Sequence, residues 1–473
     1  MKKNRPVRRA LHGCAFAGLF AAAVFAAPAC ADEQSDRIES LEKRLERSLK
    51  LIEQLESRVR ELEGQRPAPA VAAASAPAAG ASAPAWGSGP PSATAVSDQV
   101  RKHTEAIGAL QDEVNQLSEG LSKASADTGL PLHGFADVDA GTSSSADPRR
   151  LRGFSAGTLD LYLVPQFGER VRSLIEVAFE YESSGELTAD VERLQLGYTL
   201  SDDLTVWMGR FHTPFGLWNT WFHHGANLQT SIYRPRFIEF EDKGGIIPAH
   251  SVGLWASGRF GIGSDRITYD AYLANGPSVR HRQLDFNPVT DDDHNKMVGF
   301  NVGYHPSGNL RGLSVGVHGF ASRASEFAGD DSVIGRTRLR MGGAYAGYDA
   351  RDWEIIAEYY RFANTDLASG RRRNSSAWFA QAGRTVGAWT PYLRYERTAL
   401  DEGDAYFASQ DLGRSYRRVV LGTRYALDSR SSFKAELSST REDAMLQLDE
   451  SGLGVLFPRT SYRRASFQYS IAF

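Results

Sequence analysis

Cysteine is nearly absent. The 473-residue chain has two, Cys14 and Cys30, and both fall within its first 31 residues. If those residues are an export signal, the mature chain has no disulfide, thiol nucleophile or thiolate metal site. Beyond the N-terminus there is no apolar run of the length a membrane helix needs. An excess of charge of one sign is also missing: 54 Lys and Arg face 57 Asp and Glu. That balance excludes a nucleic-acid protein driven by bulk positive charge. Catalytic spacing is missing as well, with no G-x-S-x-G and no H-x-x-x-H on a helix. His212, His223, His224 and His250 invite a metal reading, but adjacent histidines are not a standard chelating pair. The expectation is a protein that is not an enzyme, with no metal and no cofactor.

What is present begins with residues 1–31, which read as a secretory signal. Lys2, Lys3, Arg5, Arg8 and Arg9 precede an apolar stretch from Cys14 to Ala27, and Ala29-Cys30-Ala31 is an A-x-A cleavage site. Residues 32–63 carry a heptad: Ile38, Leu41, Leu45, Ser48, Ile52, Leu55, Val59 and Leu62 alternate spacings of three and four. A strict heptad seeks partner helices, so the segment is expected to be an oligomerising coiled coil of about 45 Å. Residues 64–96 are an Ala, Pro, Gly and Ser linker, expected to be extended. A second heptad over 97–124 uses Val100, His103, Ile107, Leu110, Val114, Leu117 and Leu121.

From residue 129 to 473 the period changes to two. In the last stretch Ala465, Phe467, Tyr469, Ile471 and Phe473 fall on one face, and Arg464, Ser466, Gln468 and Ser470 on the other. Sixteen such stretches are counted, near 132–141, 155–167, 171–183, 190–200, 203–212, 250–261, 265–275, 296–305, 311–322, 336–348, 352–363, 375–386, 388–398, 415–427, 431–441 and 461–473. Their connections alternate between long, as in 213–249, and short, as in Ser201-Asp202. The predicted fold is all-β: a 16-stranded antiparallel transmembrane β-barrel with an N-terminal α-helical coiled-coil extension.

The chain resembles Gram-negative outer-membrane porins, and among them the DcaP-like and phosphate-selective (O/P) trimeric porins. The resemblance rests on the signal, the heptads, the strand count, the long third outer loop and the terminal Phe473. It also rests on Gly209-Arg210-Phe211-His212-Thr213-Pro214-Phe215-Gly216, which matches a G-R-x-x-x-P-F-G pattern of such porins. It implies passive diffusion, a homotrimer, an outer-membrane location with the coiled coil in the periplasm, and a third loop folded into the barrel. Only Lys243, Lys296 and Lys434 occur in the barrel region, which argues against phosphate specificity.

If the apolar members of each strand face lipid, the charged ones line the lumen. Arg210, Arg338, Arg340, Arg394 and Arg418, with Arg234, Arg236, Glu239 and Glu241 of the third loop, are then the expected pore-lining and constriction residues. Guanidinium forks match carboxylates, so Arg234 and Arg236 are expected to bind anionic organic solutes at the narrowing. Glu239, Glu241 and Asp242 lie close enough in sequence to neutralise them instead. Lipopolysaccharide and outer-membrane lipid are expected partners, and nucleic acid is not. The other reading is structural: a barrel that only anchors a coiled coil tethered to peptidoglycan or a periplasmic partner.

Overall fold

The computed structural model describes residues 132–147, 152–165, 169–181, 187–222, 227–285, 295–449, 451 and 453–473. The signal, both heptads, the linker, His223 and His224 lie outside the described residues.

Alternating side chains and frequent Gly suit a pleated ribbon, and sixteen long strands form. They are β1 (Leu132–Ser143), β2 (Arg152–Leu163), β3 (Val171–Tyr181), β4 (Leu187–Ser201), β5 (Leu204–His212), β6 (His250–Ile262), β7 (Asp265–Asn275) and β8 (Lys296–His305). The second half comprises β9 (Leu313–Phe327), β10 (Val333–Ala350), β11 (Trp353–Asp366), β12 (Arg372–Arg384), β13 (Trp389–Ala399), β14 (Tyr416–Ala426), β15 (Ser431–Glu442) and β16 (Thr460–Ala472). Each expected strand coincides with one of these. Every strand pairs antiparallel with its sequence neighbour, and β16 closes on β1 from Phe135↔Ala472 to Ser143↔Arg464. Closure removes the unpaired edge that hydrocarbon does not tolerate. Short ribbons decorate the long connections, as where Met445–Leu448 pairs with Gly454–Phe457.

The terminal residue is part of the closure. Phe473 and Gly134 exchange backbone hydrogen bonds at 3.0 Å in both directions. A Cβ on Gly134 would meet the Phe473 ring at 2.4 Å, so only glycine lets that ring lie across β1.

Outward faces are apolar, as lipid contact requires: Leu194, Leu196, Val298, Phe300, Leu393, Leu421, Leu437 and Phe467 are all exposed. Toward the short-turn end the same faces carry Trp353, Trp389, Phe433 and Tyr469, in the manner of an interfacial aromatic girdle. Inward faces split into two kinds. On β1–β4 they carry acids. On β6–β12 they are mostly apolar, with polar exceptions such as Asn301, His318, Glu358 and Gln381, and Tyr272, Phe320, Leu339, Met341, Tyr345, Ile356, Phe362 and Phe379 join one buried cluster. Two cross-strand facts follow for β10. Leu339 and Met341 point inward, and Arg336, Arg338 and Arg340, which alternate with them, are exposed on the outward face. The expectation that Arg338 and Arg340 line the pore is therefore corrected. In this strand the apolar residues serve an interior core, so alternation alone assigned the wrong face.

Candidate functional site in the barrel lumen

The connection 213–249 supplies the partners of that interior core. Its start is set by the Gly209–Gly216 segment. Gly216 turns with φ +62°, and a Cβ there would stand 2.1 Å from the Glu358 carboxylate of β11. The close approach lets Glu358 accept from the amides of Leu217 at 3.1 Å and Trp218 at 2.5 Å, and from the Tyr360 hydroxyl at 2.5 Å. These amides open the short helix Trp218–Trp221, whose first N–H groups lack partners within it. Aromatic edges then hold the segment to the wall: Trp218 on Phe379 at 5.5 Å, and Phe215 and Phe237 on Tyr360 at 6.1 and 5.2 Å between ring centres.

A buried charge network holds the other side. Arg394 of β13 donates to Glu396 at 2.9 Å, to the Tyr233 carbonyl at 2.9 Å, to Ser231 at 3.1 Å and to the Arg234 carbonyl at 3.3 Å. Glu396 in turn accepts from the Arg236 amide and the Tyr416 hydroxyl, both at 2.9 Å. Glu442 of β15 takes the guanidiniums of Arg236 and Arg414. Lys434 donates to the carbonyls of Gln229 and Ser231 at 2.7 and 3.2 Å. Asn227 reaches the Arg430 carbonyl in the short turn before β15, at 3.4 Å. The connection thus runs from the long-loop end toward the short-turn end of the barrel.

A third cluster joins the end of the segment to β4–β6. His250 lies between Glu241, 2.9 Å from Nδ1, and Glu192, 3.1 Å from Nε2. Arg210 donates to the Glu192 carbonyl at 2.8 Å. Burial pushes the Glu241 carboxyl up to about 7, against the opposing pull of the His250 amide and of Arg210 and Arg234. A carboxyl raised in the folded state favours folding most below its unfolded pKa of 4.5, and that contribution is lost as pH rises through about 7. Thermal unfolding should therefore show the wild type losing stability between pH 4.5 and 7 relative to Glu241→Gln. Parallel pH profiles for the two proteins would refute the assignment.

Of the residues expected at the narrowing, Arg210, Arg234, Arg236, Glu239, Glu241, Arg394 and Arg418 are all buried on or against this segment. Arg234 and Arg236 are not presented to a solute as free forks. Arg234 is spent on the Ile238 and Phe222 carbonyls and on Asn219. Arg236 gives Nη1 to Glu442 and, at 3.2 Å, to Tyr462, while its Nε and Nη2 are buried without a protein partner. No ion pair joins Arg234 or Arg236 to Glu239 or Glu241 among the described residues. The wall, not the neighbouring acids, neutralises Arg236.

A small cavity of about 20 Å³ remains between the segment and β14–β16. Tyr233, Arg236, Glu239 and Lys243 line it from the segment, and Arg418, Tyr462 and Arg464 from the wall. Lys243 pairs with Glu180 at 2.6 Å and keeps 34% of its side chain exposed. Arg464 pairs with Asp147. The strands that follow β16 around the closed barrel carry acids on their inward faces: Asp137 and Asp139 on β1, Asp160 on β2, and Glu176 and Glu180 on β3. Lys243 was not among the residues expected at the narrowing, whereas Arg464 falls on the polar, lumen-facing side expected for the last strand. Arg464 was legible, because it alternates with the outward Arg463 in β16.

No protein-family model matches the chain, and no curated protein matches it in sequence. Solved structures match it in fold. An anion-selective porin from Comamonas acidovorans superposes with a TM-score of 0.50 at 12% identity, covering 73% of this chain and 99% of that one. The chain has the porin fold. OmpT, an outer membrane protein of Vibrio cholerae in its trimer form, gives a TM-score of 0.46 at 13% identity, covering 73% and 99%. The outer membrane channel DcaP of Acinetobacter baumannii gives 0.45 at 12%, covering 72% and 97%.

Proposed function

We propose that the chain is an outer-membrane porin, a homotrimer through which small hydrophilic solutes diffuse passively. The observation that carries this is a closed barrel, apolar outside, whose lumen keeps a charged seam where the third outer loop meets the wall. The loop narrows the barrel and sets its selectivity. Four cations, Arg236, Lys243, Arg418 and Arg464, line the narrow cavity together with Glu239, and further acids lie on the adjoining strands β1–β3. A seam with this excess of cations favours solutes that present a carboxylate to it.

The test is single-channel recording of the refolded protein in a planar bilayer under a salt gradient. Stepwise openings in threes with an anion-selective reversal potential are expected. Lys243→Glu, at the most exposed cation of the seam, should shift that potential toward cations. Cation selectivity in the wild type would overturn the anionic preference and leave the porin. One observation favours the structural alternative: the cavity beside the loop is scarcely larger than a water molecule. A folded protein that never conducts would place the anchoring of a periplasmic coiled coil first.

A further inference from the structure

The residues that leave the lumen account for an unusual outer surface. On the outward faces of β9–β16, close to the long loops, ten arginines are exposed: 323, 336, 338, 340, 361, 372, 397, 417, 441 and 463. Every Asp and Glu in these eight strands lies at an inward-facing or strand-terminal position. Several arginines stand directly across from one another. Arg323 pairs in register with Arg338, Arg397 with Arg417, and Arg417 with Arg441. Like charges facing each other across a ladder are destabilising unless an anion lies between them. No ion pair neutralises any of the ten among the described residues. The nearby loop acids Asp331, Asp401 and Asp443 are already paired with Arg280, Arg373 and Arg459.

The height of this row is also fixed. On five strands an outward aromatic and an outward arginine are eight residues apart: Tyr348 and Arg340, Trp353 and Arg361, Trp389 and Arg397, Tyr425 and Arg417, Phe433 and Arg441. Eight residues span about 26 Å of strand. Allowing for strand tilt, roughly 20 Å separates the two levels, near the height of a barrel's apolar band. The aromatics mark one membrane interface, so the arginines mark the opposite headgroup level.

Beneath the arginines of β14–β16 lies a groove of about 500 Å³ on the outer surface. Val419, Leu421 and Leu437 line it together with the small side chains of Thr142, Ser439 and Ala465. Arg463 stands at its rim, and Arg441 and Arg417 lie on the rungs next to it.

We propose that Arg417, Arg441 and Arg463, with this groove, form a binding site for a phosphorylated glycolipid of the outer leaflet. The phosphate bridges guanidiniums that otherwise repel, and an acyl chain fills the groove. A single-sign row beside lipid-facing leucines suits an anionic headgroup better than a second copy of the chain, because no complementary acidic row is present on these strands. The proposal rests on the outer-membrane reading above and deepens it.

The experiment uses the full refolded protein in detergent and purified lipopolysaccharide, intact or dephosphorylated, with bound lipid read by native mass spectrometry. Wild type should retain the intact lipid and hold the dephosphorylated form far less. The Arg417→Gln/Arg441→Gln/Arg463→Gln variant should bind the intact lipid on the order of a hundredfold more weakly, each surface arginine contributing roughly fivefold. Ser439→Leu, which fills the groove without touching a charge, should also weaken binding, and it keeps the test valid if the triple variant does not refold. Equal retention of both lipids, or retention unchanged in either variant, overturns the proposal. A variant that changes oligomeric state with lipid retention intact also overturns it, assigning the row to contacts between copies. Conductance recorded on the same samples separates failure of this site from failure of the porin reading.

Discussion

Excision of residues 217–247, with Gly216 joined to Pro248 by a short Gly-Ser bridge, should raise single-channel conductance several-fold. A sixteen-stranded barrel encloses an aqueous channel unless something occupies it. Here the occupant is anchored at three places: Glu358 at its start, the Arg394–Glu396 pair along its middle, and His250 at its end. None of the sixteen strands depends on it for its ladder, because each strand is paired on both sides by its neighbours. The wall charges it leaves behind, such as Glu396 and Glu436, would be hydrated rather than stranded in an apolar medium. The barrel should therefore still form, still migrate as a folded species in detergent, and lose selectivity as it gains conductance. If the excised protein folds and conducts as the wild type does, the segment does not obstruct the lumen, and the seam at Lys243 and Arg464 is not the selective point.

The barrel was legible because its signal is repeated sixteen times and is tied to a second, independent pattern, the alternation of long and short connections. The last strand shows how direct the relation is: Phe467 and Tyr469 are exposed, and Ser466, Gln468 and Ser470 buried. Alternation fails in one respect. It gives two faces but not their environments. On β10 the apolar set Leu339, Met341 and Tyr345 packs against a lumen segment rather than lipid, and the charged set 336, 338 and 340 turns out. A sequence in which Gly342, Ala344 and Ala346 continue the arginine face carries a hint of this, because a lipid-facing strand seldom presents its small residues outward and its bulky ones inward. The partners of Arg234 and Arg236 were not legible. Glu442 lies 206 positions from Arg236, and the nearer acids Glu239 and Glu241 are the natural candidates until the fold brings β15 to the segment.

Glu442→Ala should be among the most destabilising single substitutions in the lumen. The carboxylate is fully buried, and it holds two guanidiniums, Arg236 from the segment and Arg414 from the connection before β14. It also accepts from Thr460 at 3.1 Å and Tyr462 at 3.3 Å. Removing it leaves two cations without a counter-charge in a space from which water is largely excluded. Breaking a buried pair in this way costs about 3–5 kcal/mol. The loss should fall on the docking of the segment and not on the strand ladder. Urea titration of the lipid-embedded protein would then show an early change in tryptophan fluorescence, from Trp218 and Trp221, well before β-structure is lost. A single transition at the wild-type midpoint would mean that water reaches both arginines and that the network contributes little. The triple substitution Glu442→Leu, Arg236→Met, Arg414→Met sharpens the test. An apolar replacement of the whole triad forfeits no stranded charge and should recover most of the stability. It also deletes Arg236 from the cation-lined cavity, so a stably docked segment with reduced anion preference would separate what the triad does for stability from what it does for permeation.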